Sequence, residues 1–266
     1  MIETVEGCSD RLSERLHATV PCLRLSAYLE LLVERRINPE IYFSAEALEC
    51  CDHSVLKQQA ALLREAGLSV TLHAPHMDLN PGSLDPYIRN ATARRFEELF
   101  RAAELLCPKV MVFHPGYDEL RYGDYRQAWL DNSIAFWRPM VARASGVGTV
   151  IAVENIFDKE PSVLAELLEA IGDPCFCHCF DAGHWHMFNT VSMEAWFERL
   201  GHFVAEAHIH DNHGVRDEHL PPGEGTIDFR LLFSLLEQHA PQAVWTLEAH
   251  TQERLERALV SVRNYL

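Results

Sequence analysis

Three observations on the amino-acid sequence predict an α/β fold with a single domain over residues 1–266. Short apolar segments alternate eight times with helix-like segments, and no linker or shift of composition interrupts them. A length of 266 residues suits eight such units closed into one barrel. Six of the predicted strands end on imidazole or carboxylate side chains, namely His73, His114, Glu154, Asp181, His208 and Glu248. Because (β/α)8 TIM barrels gather their chemistry at the C-terminal ends of the strands, the sequence predicts this fold with a metal site at that end.

The first half of the chain supplies four of the predicted strands. Asn38 and Pro39 both stop a helix, so residues 37–39 are predicted as a turn before the second strand. Glu40 lies at the start of that strand, away from the chemical end, and is predicted to face solvent. The segments in order are strand 17–21, helix 25–36, strand 40–43, helix 53–66, strand 68–73, a helix from Pro86 to about residue 106, and strand 110–114.

The second half repeats the alternation. A long helix is predicted from about residue 125 to residue 144, with a soft break at Pro139. Strand 148–154 follows, and Pro161 opens the next helix. The remaining segments are strand 175–180, helix 193–200, strand 204–210, helix 229–239, strand 243–247 and a last helix from about residue 252 to residue 265.

Composition limits the partners and the location of the protein. The 23 Lys and Arg against 39 Asp and Glu give a net charge of −16, which makes nucleic acid an unexpected partner. No apolar run approaches the roughly 18–20 residues that cross a bilayer, so no membrane partner is expected. Eight cysteines without a CxxC pair, and no secretory signal at Met1–Thr4, predict a reducing cytoplasm. Cys175, Cys177 and Cys179 are predicted to pack in the barrel wall, and a homo-oligomer is left open.

Residues 207–228 carry the densest group of metal-binding side chains. His208 and His210 are two apart on a strand, so both point to the same side. Asp217 and His219 follow in the loop, and imidazoles and carboxylates suit zinc, manganese or iron. The glycines of PPGEG let the backbone turn closely around such a site. The sequence therefore predicts a metal centre at the end of the seventh strand.

A series of ordered motifs resembles a known superfamily. The motifs are LHAPHMDLNPGS, VFHPG, VENIFD, FDAGH, HIHDNHG, DEHLPPGEG and LEAH. They resemble the xylose isomerase-like TIM barrels, which include sugar phosphate isomerases and epimerases and also endonuclease IV (AP endonuclease family 2). The resemblance extends from the third to the eighth strand, and it is more specific for the superfamily than for the reaction.

The resemblance implies two overlapping sets of ligands. Four positions match the single-metal site of the ketose epimerases, in which Glu154 and Glu248 form the catalytic acid–base pair. Nine positions match the ligands of endonuclease IV, which imply up to three zinc ions with Glu154 as a bridging carboxylate. The four are Glu154, Asp181, His208 and Glu248, and the nine add His73, His114, His184, Asp217 and His219.

Three interpretations of the function remain open. The leading one is an isomerase or epimerase of a small sugar, sugar phosphate or polyol that transfers a proton through an enediolate, with one to three divalent ions, zinc or manganese. The alternative is a trinuclear phosphodiesterase, and a third is a metal-stabilised barrel that binds a ligand without turnover. The acidic charge favours the first, and the nine ligands favour the second. The epimerases typically have an arginine a few residues after the seventh-strand histidine. This position is Gly214 here, and Arg216, two residues later, matches it only approximately.

Four further histidines near the predicted site have no settled role. His76, His186, His210 and His213 either orient the ligating imidazoles, face the substrate or do neither. A phosphate site at the loops after the seventh and eighth strands is disfavoured, since Glu224 would oppose an anion there.

Overall fold

Eight parallel strands close into a barrel in chain order, with the first strand paired to the eighth. The structure is a computed structural model and describes residues 14–265. The polar opening of the chain up to residue 13, including Met1–Thr4, lies outside the described residues. The predicted (β/α)8 TIM barrel is confirmed.

The strands alternate with helices that surround the barrel. The strands are β1 Leu16–Pro21, β2 Asn38–Tyr42, β3 Thr71–His73, β4 Val110–Phe113, β5 Val150–Glu154, β6 Phe176–Asp181, β7 Val204–Ile209 and β8 Val244–Leu247. The α-helices are α1 Leu25–Arg35, α2 Ala45–Cys50, α3 His53–Glu65, α4 Pro86–Leu106, α5 Glu119–Tyr122, α6 Arg126–Val147, α7 Ser162–Ile171, α8 Ala182–Phe188, α9 Met193–Leu200, α10 Phe229–His239 and α11 Gln252–Ser261. Short 3-10 turns occupy Cys22–Arg24, Gly123–Tyr125, Gly201–Phe203 and Val262–Tyr265.

Local capping signals fix most helix ends. The Asp85 carboxylate accepts the backbone N–H of Tyr87 at 2.8 Å, and Pro86 begins α4 as predicted. The Asp228 carboxylate likewise accepts the N–H of Leu231 at 3.0 Å at the start of α10. Gly148 ends α6 with φ of 80°, a conformation that favours glycine. These signals act within one turn, so the sequence alone locates them.

Two predictions about proline are wrong. α6 runs unbroken through Pro139, because buried neighbours such as Trp137 and Met140 hold the helix against the barrel despite the lost hydrogen bond. The predicted turn at residues 37–39 is part of β2, which begins at Asn38. The Asn38 side chain donates to the Leu16 carbonyl at 3.0 Å and accepts the Ser69 N–H at 2.9 Å. These bonds tie the strand to both neighbouring segments where Pro39 has no N–H to give.

The apolar core lies mainly between the strands and the helices. Trp137 of α6 is fully buried and its ring contacts Phe96 and Phe113, with centroids 5.7 and 5.5 Å apart. A separate, smaller apolar cluster consists of Val110, Val112, Ala152, Cys179 and Val244. Cys179 is fully buried there, as predicted for the barrel wall, whereas Cys175 and Cys177 are half-buried. Among residues 14–265, no helix combines the length and the apolar character that crossing a membrane requires.

Candidate metal centre

Glu154 stands at the centre of the predicted site. It is the last residue of β5 and is almost completely buried. One carboxylate oxygen, Oε2, lies 3.2 Å from Nε2 of His73 and 3.2 Å from Nε2 of His114. The other, Oε1, lies 3.0 Å from Nδ1 of His184 and 3.6 Å from Nδ1 of His208. Both oxygens of this carboxylate therefore have imidazole nitrogens within 3.6 Å, so Glu154 and these histidines could hold divalent cations together.

His208 points one ring nitrogen at three carboxylates. Its Nδ1 lies 3.6 Å from Glu154 Oε1, 3.5 Å from Asp181 Oδ2 and 3.6 Å from Glu248 Oε1. The four side chains come from the ends of β5, β6, β7 and β8. Nδ1 is buried and makes no hydrogen bond with the described residues. These are the four residues of the predicted epimerase set, gathered around one position.

The loop after β7 brings the last predicted ligands to the same place. Asp217 Oδ2 lies 2.9 Å from His219 Nε2 and 3.5 Å from His184 Nε2. His219 Nδ1 lies 3.6 Å from Glu248 Oε2. All nine residues predicted from the sequence therefore lie in one continuous cluster at the C-terminal end of the barrel. Their role as metal ligands stays a prediction.

Two of the four unassigned histidines join the cluster. His76 stacks on His114 and His210 stacks on His219, with centroids 4.2 and 4.1 Å apart and planes within 8° of parallel. An imidazole binds a metal in the plane of its ring, so two rings stacked in this way do not share one ion. His210 Nε2 instead lies 3.1 Å from Asp181 Oδ2.

The other two unassigned histidines bind loop residues. His186 Nε2 lies 2.8 Å from the Thr226 hydroxyl, and His213 Nδ1 lies 2.8 Å from Glu218.

Gly183 makes room for the ring of His210, since a Cβ at position 183 would lie 2.0 Å from that ring. The glycine of the FDAGH motif is therefore required by close approach.

Charges in the cluster stabilise one another. Burial alone would raise the pKa of Glu154, but its interactions with the imidazoles of His114 and His208 hold it well below its usual value. The pKa of Asp181 is also lowered well below its usual value, because His184 and His210 outweigh the effect of burial. Burial lowers the pKa of His76 to about 3, with His114 adding to the effect, so this ring is neutral. The carboxylates therefore stay ionised in a buried site that is suited to positive charge.

Asp211 organises the loop that carries Asp217 and His219. Its buried carboxylate accepts backbone N–H groups from Asn212 at 2.9 Å, Gly223 at 2.9 Å, Gly225 at 2.8 Å and Ile227 at 3.1 Å. Its backbone also pairs with Leu220, at 2.7 and 2.9 Å. Sequence reasoning missed this residue, although an aspartate between a strand end and a Gly-rich loop is a signal for such a role.

Glu40 corrects a prediction. It was expected to face solvent, yet it is fully buried, and its Oε2 lies 3.2 Å from Nε2 of His208. The Thr19 hydroxyl donates to its Oε1 at 2.8 Å. Burial would raise the pKa of Glu40, but the charge of His208 lowers it below the usual value. The prediction failed because the partner lies 168 residues away, where no local pattern reveals it.

A cavity of about 560 Å³ opens onto the cluster. Its volume is in the range of small-molecule sites. His73, His114, Glu154, Asp217 and Glu248 line one side of it. The rest of the lining includes the apolar or aromatic side chains Val20, Pro21, Tyr28, Leu31, Tyr42 and Leu255, with Arg24 as its one Lys or Arg among the described residues.

The donors present fit divalent metal ions. Carboxylate oxygens and imidazole nitrogens in groups of three lie within 4.8 Å of one another, as in Glu154, Asp181 and His184. The Nδ1 atoms of His208, His210 and His219 are buried without a hydrogen-bond partner among the described residues. A buried polar atom without a partner costs free energy, and a bound cation would remove that cost for a ligand.

Residues 39–265 match the family described as the xylose isomerase-like TIM barrel, and the chain belongs to this family. The uncharacterized protein MJ1311 of Methanocaldococcus jannaschii is 30% identical over 191 residues. The match covers 68% of this chain and 64% of that protein, so the chain spans just under two thirds of this relative.

Solved structures share the fold over nearly the whole chain. A D-tagatose 3-epimerase-like protein matches with a TM-score of 0.81 and 25% identity, over 94% of this chain and 96% of that chain. The TTHB071 protein from Thermus thermophilus, from a soak with ZnCl2, matches with a TM-score of 0.77 and 23% identity, over 94% and 97%. The second likeness shows the fold alone.

Proposed function

We propose that the protein is a metal-dependent isomerase or epimerase of a small sugar, sugar phosphate or polyol. The observation that carries this proposal is the position of Glu154 and Glu248, whose Oε1 atoms both lie 3.6 Å from His208 Nδ1 beside a cavity of about 560 Å³. Two carboxylates next to one substrate-sized space suit proton transfer at a carbon atom. The likeness to a D-tagatose 3-epimerase-like protein supports the same class of substrate.

The two glutamates have different surroundings and therefore different parts in the reaction. The side chain of Glu248 is 13% exposed and lines the cavity, so it takes the proton from the substrate carbon. The side chain of Glu154 also lines the cavity but is only 2% exposed and ionised, so the proton that it returns to the substrate comes from a neighbouring protonated imidazole such as His184, whose Nδ1 lies 3.0 Å from its Oε1. A divalent ion held by Glu154, Asp181, His208 and Glu248 would stabilise the enediolate that forms between the two transfers.

A specific observation favours a second candidate, the hydrolysis of a small phosphoester. His73 and His114 both approach Glu154 Oε2, and His184, Asp217 and His219 form a further group beside them. The chemistry that several divalent ions supply is activation of water and neutralisation of the attacking and leaving oxygens. The net charge of −16 and the size of the cavity favour a small ester over duplex DNA.

Metal content separates the two candidates. Elemental mass spectrometry on protein purified without chelator gives the ions per chain, and a His73→Ala, His114→Ala double variant is the comparison. One zinc or manganese ion that survives the double substitution supports the isomerase. Two or three ions, reduced by the substitution, favour the phosphoesterase.

A test of chemistry follows from the metal content. Incubation with ketoses in heavy water reports solvent deuterium at the α-carbon, and Glu248→Gln is expected to lower this exchange by about 100-fold or more. A metal-loaded parent that neither exchanges this proton nor cleaves phosphodiesters is a ligand-binding barrel, which contradicts both proposals.

A further inference from the structure

We propose that Glu40 is a positioning residue that orients His208 for metal binding and increases the affinity of the site. The inference rests on the metal dependence proposed above, but not on the reaction. Glu40 belongs to β2 and His208 to β7, so the contact spans the interior of the barrel. Both side chains are completely buried, and Glu40 Oε2 lies 3.2 Å from His208 Nε2.

The two ring nitrogens of His208 have separate partners. Nε2 faces Glu40, which accepts a hydrogen bond only if this nitrogen carries the proton. Nδ1 faces the carboxylates of Glu154, Asp181 and Glu248 and has no hydrogen-bond partner among the described residues. With the Nε2 proton held by Glu40, Nδ1 is the ring nitrogen whose lone pair would bind a cation once its own proton has left.

Glu40 is itself held in place from the opposite side. The Thr19 hydroxyl donates to its Oε1 at 2.8 Å, and Thr19 is its register partner on β1. Two hydrogen bonds thus connect Thr19 to Glu40 and Glu40 to the His208 ring, whose other nitrogen, Nδ1, faces the proposed metal site. A carboxylate that accepts the second ring proton of a ligating histidine fixes the ring and makes its free nitrogen more basic.

Glu206 provides a matched control inside the same barrel. It is also completely buried and lies two residues before His208 on β7. Its Oε1 accepts the hydroxyls of Thr71, at 3.3 Å, and Thr246. Its hydrogen bonds within residues 14–265 go to these two threonines and not to the His208 ring, so its carboxylate does not fix the ring proton. Burial raises the pKa of Glu206, so Glu206→Gln controls for altering a buried glutamate side chain, whereas Glu40→Gln also removes a negative charge.

The first readout is zinc affinity, measured by competition with a chromophoric chelator. Glu40→Gln keeps the shape but removes the charge, and we expect roughly tenfold weaker binding, while Glu40→Ala, which also removes the hydrogen bond, weakens it by up to about 100-fold. Glu206→Gln is expected to bind zinc like the parent. The melting temperature of each metal-free variant shows that it is folded.

The second readout is the Nε2–H proton of His208 in zinc-loaded, 15N-histidine-labelled protein, assigned by its absence in His208→Ala. We expect a slowly exchanging resonance in the parent and in Glu206→Gln, and its loss in Glu40→Ala. Unchanged zinc affinity in both Glu40 variants, an equal loss in Glu206→Gln, or persistence of the resonance in Glu40→Ala would overturn the proposal. A parent that binds no divalent ion overturns the proposed function as well, whereas a parent that binds zinc without isomerase activity overturns only the function.

Discussion

The layer between strands and helices and the interior of the barrel are packed with different kinds of side chain. The outer layer is aromatic and aliphatic, with Trp137 against Phe96 and Phe113. Beneath the candidate site the interior holds Glu40 and Glu206 with Thr19, Thr71 and Thr246, next to the small apolar cluster that includes Ala152 and Val244. The outer layer needs only apolar side chains at the right spacing, whereas the interior needs particular partners from distant strands. We therefore expect the outer layer to contribute most of the stability and the interior to position the residues of the proposed site.

Among the substitutions that test this comparison, Trp137→Ala should cause the largest loss of stability. It removes a fully buried ring that contacts Phe96, Phe113, Phe136 and Phe176. We expect a loss of about 3–5 kcal/mol in the free energy of unfolding, measured with urea, and unchanged zinc affinity in the folded fraction. A loss of zinc affinity without a loss of stability would contradict the separation of the two layers.

His178 is a buried polar side chain in the outer layer, and it should make the stability of the protein depend on pH. Its ring is neutral when Nδ1 donates to the Val153 carbonyl at 2.9 Å and Nε2 accepts from the Trp196 indole at 3.3 Å. Burial lowers the pKa of His178 to about 4, well below the unfolded value of 6.5. Its contribution is thus complete above pH 6.5 and is lost as the pH falls towards 4. From pH 7 to pH 4 the parent should lose roughly 3 kcal/mol more than His178→Gln. If the stability of the parent and of His178→Gln changed with pH in the same way, His178 would not be the group responsible.

A pair of reversed substitutions compares the layers directly. Thr246 in the interior donates its hydroxyl to Glu206, and Val153 is fully buried in the outer core. Thr246→Val leaves a buried carboxyl with one donor fewer, and Val153→Thr buries a hydroxyl among apolar groups. We expect each to cost about 1–3 kcal/mol by chemical denaturation, although the two side chains have nearly the same shape. If either change stabilises the protein, the comparison is wrong for that layer.

A substitution in an exposed ion pair should cause the smallest change in stability. Arg126 Nη2 lies 2.6 Å from Glu166 Oε1, where the two side chains are 34% and 44% exposed. Solvent screens such a pair, so Glu166→Ala is expected to change the free energy of unfolding by less than about 1 kcal/mol. Thermal melts at low and high salt provide the measurement. A larger, salt-independent loss would mean that the pair belongs to the packed structure.

The same division explains what the sequence predicts. Helices α9 and α10 were located to the residue, since capping and periodicity act over a few positions. Six of the nine candidate ligands were found at strand ends and Asp217 and His219 in one loop, whereas the ligand role of His184 came only from the family resemblance. Glu40 was misjudged because burial on β2 depends on closure of the barrel and on His208, which are absent from any local pattern. Pro139 was misjudged for the opposite reason, since packing against the barrel overrides a strong local signal.

The four hydrogen bonds that Asp211 accepts have a consequence for the entropy of ligand binding. Ordering a flexible loop costs roughly 1–2 kcal/mol for each residue that loses its backbone freedom. The hydrogen bonds of Asp211 and its backbone pairing with Leu220 order the loop in the metal-free protein. The entropy of ordering the loop is therefore lost during folding and not during ligand binding. Asp217 and His219, two of the proposed ligands, are therefore already positioned in the metal-free protein, so the ordering of this loop would not reduce their affinity for a cation.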